Sequence, residues 1–173
     1  EYSVAIETAL GNAAQNVVVE NEGDAKRAIN MLKSENKGRA TFLPVSSIEG
    51  RYIDEPKLDN CLGFVGIASD LVNCDSKYKQ IAVYLLGRIV VAEDLDSAVA
   101  IAKKFNYKYK IVSLDGQVVN AGGSMTGGSR GHSAGILSRG NEMDKLRAQV
   151  TELIKQQEIS HDEYKKLSEE LSL

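Results

Sequence analysis

The sequence is short of the residues that build reactive or metal-bound sites. Its 173 residues contain two cysteines, Cys61 and Cys74, and two histidines, His132 and His161. The cysteines are spaced neither as a CxxC redox pair nor as a zinc site, and read as structural thiols. The histidines fall in different segments, one glycine-rich and one highly charged, which argues against a metal cluster; no metal or cofactor is expected. Long apolar runs are scarce too. The longest, Ile81 to Ala92, is broken by Gly87 and Arg88 and falls far short of the ~20 residues of a membrane span. The opening EYSVAIETALG lacks the basic flank, apolar core and cleavage pattern of a secretory signal, so a cytoplasmic protein is expected. No Ser, His and Asp set or carboxylate pair has a compelling spacing, and Asp94 with Asp96 reads as a capping turn rather than as acid and base. Enzyme chemistry is not expected.

The formal charge of −3 is unevenly spread. From Glu142 onward there are eight acidic and five basic residues, which leaves sixteen of each sign in Glu1 to Asn141. Within that neutral body, Ser76 to Leu114 is locally basic, with Lys77, Lys79, Arg88, Lys103, Lys104, Lys108 and Lys110 against Glu93, Asp94 and Asp96. Such a stretch is either a basic face or a solvated helix with its flanks.

A repeat organises the body. YSVAIETALG at Tyr2 to Gly11 and YKQIAVYLLG at Tyr78 to Gly87 both start with Tyr and end in Leu-Gly, with apolar residues at helical spacing between. A β-branched run follows each, then an acidic turn and an amphipathic helix, Asp24 to Ser34 in one half and Asp96 to Phe105 in the other. Asp24 and Asp96 are the expected N-caps. A second strand closes each unit, Arg39 to Val45 and Tyr109 to Gly116. The fold class is therefore α/β (α+β), two pseudo-repeated helix–strand–helix–strand halves joined by Ser46 to Ser76. In that connection Pro56 and a polar run predict an exposed excursion before LGFVGIASDLV returns to the core.

At the C-terminal end, Met143, Leu146, Val150, Leu153, Gln157, Ser160, Tyr164, Leu167 and Leu171 alternate by three and four. That is the spacing of a coiled-coil seam, weakened in its middle by Gln157 and Ser160. The alternative is an amphipathic helix packed on its own domain.

Between body and tail lies GGSMTGGSRG, five glycines in ten residues from Gly122 to Gly131. Gly122, Gly123, Gly127 and Gly128 together forgo about 2–4 kcal/mol relative to Ala in regular structure, so something must offset that. The stretch matches a phosphate loop except that Gly128 stands where the essential Lys belongs, which weakens a nucleotide-enzyme reading. A second reading starts from the preceding hairpin, which turns at Asp115-Gly116 and returns through Gln117 to Asn120. Bare backbone after it suits strand pairing between two chains at a sheet edge and hence a closed dimer. A flexible linker is the third.

Taken together, AIETALG, GRATFLP (Gly38 to Pro44), ASDLV, YLLGRIVVAEDLDSAVAIAKK, SLDG and GGSMTGG resemble the hinge domain of the structural maintenance of chromosomes (SMC) proteins, especially the bacterial homodimeric type. The likeness spans nearly all of Glu1 to Gly128, and ILSRGNEMDKL, with Arg139 and Glu142, is similar to the start of the family's outgoing arm. The resemblance implies a hinge over residues 1–140, with halves of about 1–75 and 76–128 and a glycine-rich connection, followed by a coiled-coil arm over 141–173. It implies a non-catalytic homodimerisation module of a chromosome condensation and segregation ATPase whose heads lie elsewhere, without a cofactor of its own. Gly122, Gly123, Gly127 and Gly128 would sit at the dimer junction. Non-specific DNA contacts would fall to Arg130, Arg139, Lys103 and Lys104, with dissociation constants of about 10⁻⁴–10⁻⁶ M. The implied partners are a second copy, DNA and an antiparallel arm, in a nucleoid-associated protein. Family hinges begin before the counterpart of Tyr2, so the chain is expected to start inside the hinge. Recruitment of another protein by the coil is the remaining alternative.

Overall fold

The computed structural model describes residues 2–129 and 138–171, which belong to two compact units, 1–131 and 132–173. In the first unit α1 (Ser3–Leu10) leads to β1 (Val17–Val19), α2 (Glu22–Ser34) and β2 (Phe42–Pro44). β1 and β2 form a two-stranded parallel sheet with Val18 opposite Leu43. After β3 (Phe64–Ile67) the pattern recurs as α3 (Lys79–Leu86), β4 (Ile89–Ala92), α4 (Leu95–Lys104) and β5 (Lys110–Ser113), with Val90 opposite Ile111 in parallel pairing. β6 (Val118–Val119) and β7 (Met125–Thr126) complete a five-stranded sheet of order β3-β4-β5-β6-β7, in which every pairing except β4–β5 is antiparallel. The second unit is one long helix, α5 (Ser138–Leu171). Mixed α/β structure built on a twofold helix–strand–helix–strand repeat is what the sequence predicts.

Alternation explains the core of the larger sheet. Successive strand residues face opposite sides, so the IVVA of β4 can be apolar throughout only because both faces are covered. Val90, Ala92, Ile111 and Val119 pack under Ala98, Ile101 and Ala102 of α4. Ile89, Val91, Val112 and Val118 face the other way, onto Ala5, Ile6 and Ala9 of α1 and Leu86 of α3. Helix α1 thus belongs to the first repeat in sequence and to the second in packing. Lys110 fixes it there, since its Nζ donates to the Ala9 carbonyl at the end of α1 over 3.0 Å. Half-burial lowers the pKa of that lysine.

Two local expectations are corrected. The N-caps are Asn21 and Asp94 rather than Asp24 and Asp96. Both leave their strands with extended backbone, φ −149° and −143°, so that their side chains accept from the N–H three residues on. Asp24 and Asp96 lie inside the first turn, where a carboxylate meets the positive end of the helix dipole. The connection between the halves is not wholly exposed, because Ile53 and Leu58 are buried in the core beneath α4. Glycine ends both α1 and α3 as expected, though by different means. Gly11 turns the chain with φ +50°, whereas Gly87 keeps φ −67° and clears space. A Cβ on Gly87 would lie 2.6 Å from the Arg51 carbonyl of the connection, whose Ile53 N–H donates to Gly87 O at 2.9 Å.

Candidate self-association site

The glycine-rich stretch is itself part of the sheet. From the buried Ser113, the chain turns at Asp115 and Gly116 and returns as β6, with the Gln117 N–H donating to Ser113 Oγ at 2.9 Å. The Ser113 hydroxyl also donates to the Asp115 carboxylate and holds that acid below its usual pKa. A second reversal takes β6 into β7. There the Asn120 N–H donates to Ser124 O at 2.7 Å and the Gly123 N–H to Asn120 O at 2.9 Å.

Gly122, Gly123, Gly127 and Gly128 each have a local reason. Gly122 and Gly123 carry the reversal with φ +86° and +96°, a region L-residues rarely enter. Gly128, at φ +131°, lets the chain leave β7, and its N–H donates to Gln117 Oε1 at 2.8 Å. Gly127 is different: the Gln117 side chain fills the space a Cβ would need. A phosphate loop wraps its ligand with consecutive backbone N–H groups ahead of a helix. Here Met125 and Thr126, in mid-motif, pair with Val119 and Val118 instead.

β7 is an edge strand, and its Met125 and Thr126 are exposed. The repeat supplies the edge that matches it. β5 has its outer side covered by the β6–β7 hairpin, whereas its counterpart β2 ends a two-stranded sheet with no strand on that side among the described residues. The small β1–α2–β2 unit is underpacked as well. It buries Ala25 and Leu43 but leaves Val17, Val18, Ile29 and Met31 exposed by 41–53%. Parallel sheets are normally covered, and two strands alone are marginal.

The other predicted residues are described only in part. Lys103 and Lys104 end α4 and are exposed. The Lys104 Nζ lies 3.2 Å from Cys61 Sγ and 5.9 Å from the centre of the Phe105 ring. Of the remaining basic stretch, Lys77 pairs with Glu20 across the two halves and Lys110 is committed to α1, so neither joins an open basic face. Arg130 lies outside the described residues, and for Arg139, Leu167 and Leu171 only the helical backbone is described. Met143, Leu146, Val150, Leu153 and Tyr164 are all more than half exposed along α5. Among the described residues no group of three or more His, Cys, Asp or Glu side chains is placed to hold a metal ion, and no helix is long and apolar enough to cross a membrane.

A family model described as the flexible hinge domain of SMC proteins matches residues 1–102. The chain belongs to that family. Relatives of this SMC hinge include the chromosome partition protein Smc of Bacillus subtilis, 39% identical over 171 residues, which are 96% of this chain and 14% of that protein. The Smc of Methanocaldococcus jannaschii is 43% identical over 164 residues, 90% of this chain and 13% of that protein. The chain therefore spans about a seventh or less of these relatives. Among solved structures, an asymmetric dimer of the Geobacillus stearothermophilus SMC hinge domain is similar with TM-score 0.74 and 42% identity, covering 89% of this chain and 63% of that one. The Pyrococcus furiosus SMC hinge domain gives TM-score 0.61 and 33% identity, over 78% and 70% of the two chains.

Proposed function

We propose that this SMC hinge is a non-catalytic homodimerisation module, joining two coiled-coil arms of a chromosome condensation and segregation ATPase whose heads lie outside this chain. The observation that carries the reading is the unequal cover of the repeat: among the described residues β5 has a hairpin on its outer side and β2 has none. In the dimer, β7 of one copy lies along the open side of β2 of the other, and the two-fold axis makes the same pairing a second time. Gly122, Gly123, Gly127 and Gly128 shape the strand that crosses the junction. The G. stearothermophilus SMC hinge, described as an asymmetric dimer, supports self-association but not the two equivalent junctions.

Residues 141–173 begin the outgoing arm, and the exposed apolar seam of α5 suits an antiparallel helical partner. Lys103, Lys104, Arg130 and Arg139 provide weak, non-specific phosphate contacts to DNA in a cytoplasmic, nucleoid-associated protein. Such binding falls steeply with salt, since each neutralised phosphate releases counterions.

Sedimentation equilibrium tests the central claim. The wild-type chain is expected as a dimer, and a Gly123→Val, Gly127→Val variant as a weaker one. A monomeric wild type, or a variant dimer as tight as wild type, overturns it. Fluorescence anisotropy with a short duplex tests the auxiliary role: Lys103→Glu, Lys104→Glu is expected to weaken binding and flatten its salt dependence.

A further inference from the structure

A polar cleft of about 340 Å³ opens where β1 and β2 begin, lined by Asn12, Gln15, Asn16, Arg39, Ala40 and Thr41. We infer that it is an oxyanion site of the phosphate class, with Arg39 as its charged group.

The walls are fixed by backbone. The Val17 N–H donates to Thr41 O at 2.9 Å, and the Asn16 N–H closes the preceding turn on Ala13 O at 3.0 Å. The side chains they present are unspent: none of Asn12, Gln15, Asn16, Arg39 or Thr41 makes a side-chain hydrogen bond to another described residue. No carboxylate lines the cleft. The acid nearest in sequence to Arg39, Glu35, is paired with Lys37. A permanent positive charge with no counter-ion among the described residues repels cations, and three amides with a hydroxyl offer donors around it.

The geometry of the donors selects among anions. A guanidinium fork satisfies two oxygens of a carboxylate or a phosphate equally well. A carboxylate then offers the amides only the outer lone pairs of the same two oxygens, all in one plane, whereas a tetrahedral phosphate keeps two further oxygens out of that plane for them. The cleft has the volume of about ten waters at about 30 Å³ each, enough for a phosphate group and part of its solvent shell. The phosphate group belongs either to a free small molecule or to a nucleic-acid backbone.

Amide chemical shifts of the full chain, titrated with inorganic phosphate at constant ionic strength, test this independently of self-association, which sedimentation reports separately. Saturable shifts are expected at residues 12–16 and 39–41 with phosphate and not with chloride. Arg39→Ala should weaken them about tenfold or more, the scale of one charge-assisted hydrogen-bonded pair. Arg39→Lys, which keeps charge but not the fork, should fall between. Arg39 is exposed, so unchanged shifts elsewhere verify the fold. A parallel titration with a short duplex separates the sources. If the duplex moves the same amides and phosphate competes, the occupant is a phosphodiester backbone; if only phosphate moves them, it is a small molecule. Absence of saturable shifts with both, or shifts indifferent to Arg39→Ala, overturns the inference.

Discussion

The side chain of Gln117, at the start of the returning hairpin strand, occupies the volume that a side chain at Gly127 would fill. Its Oε1 accepts from the Gly128 N–H at 2.8 Å, so one glutamine both closes the hairpin and excludes a Cβ. Gly127 is not among the positive-φ glycines, which leaves space as its only constraint. Gly127→Ala is therefore expected to displace the Gln117 carboxamide from the Gly128 N–H and to cost about 0.5–1.5 kcal/mol, the scale of that hydrogen bond. In a Gln117→Ala background the same change should cost less, with a coupling of about 1 kcal/mol. Urea denaturation of the four chains measures it, and additivity would mean that Gln117 does not hold that place.

Helix α2 offers a test of capping. Asn21 Oδ1 accepts from the Asp24 N–H at 3.0 Å, while the Asp24 carboxylate takes the Asn21 amide and pairs with Arg27. Asn21→Ala is expected to cost about 1 kcal/mol. Asp24→Ala loses only exposed polar contacts and should cost about 0.5 kcal/mol. Thermal unfolding that reversed this order would move the helix start back to Asp24.

That ambiguity shows how far the sequence carries. Both NEGD and EDLD contain two capping residues in a row of turn formers, and composition does not say which one leaves the strand extended. The long periodic segments were legible: α2, α4 and the tail helix follow from spacing, and β4 and β5 from β-branched runs. β7 was not, because Met125-Thr126 is two residues long and flanked by glycines that carry no strand signal. Nor was the inward return of Ile53 and Leu58, single apolar residues in a polar run whose burial depends on a core supplied by α4. The four motif glycines were readable as a special backbone. Their division between turn and space was not, since Gln117 lies ten positions away.

Tyr52 gives a pH dependence of known sign. Its hydroxyl donates to Asp70 Oδ2 at 2.6 Å, and that bond, with partial desolvation and the nearby acids Asp70, Asp59 and Asp54, pushes its pKa up to about 12. As pH rises past 10 an unfolded tyrosine loses its proton while the folded one keeps it. The stabilisation from this contact is thus complete below pH 10 and lost as pH climbs through about 12. The Tyr52→Phe chain should lack that component of the alkaline decline, and near-ultraviolet phenolate absorbance should lose one tyrosine titrating at about 12. Identical alkaline unfolding curves for the two chains would contradict the assignment.

The pairing of β7 with β2 across a two-fold axis makes a demand that a single self-complementary patch does not. Two separate junctions form, each using β7 from one copy and β2 from the other, so a lesion in either strand damages both junctions of a homodimer. Met125→Lys on β7 and Thr41→Glu beside β2 place charges at exposed positions, and a charge on an edge strand opposes pairing. Each variant alone should be largely monomeric at concentrations where wild type is dimeric. Mixed, they can form a heterodimer in which both lesions share one junction, now with opposite charges, while the other junction is unaltered. Sedimentation of the mixture should therefore recover a dimer weaker than wild type but tighter than either variant alone. If both lesions fell within one self-complementary patch, every pairing in the mixture would still carry a charge against that patch, and no rescue beyond a surface ion pair of about 0–1 kcal/mol would follow.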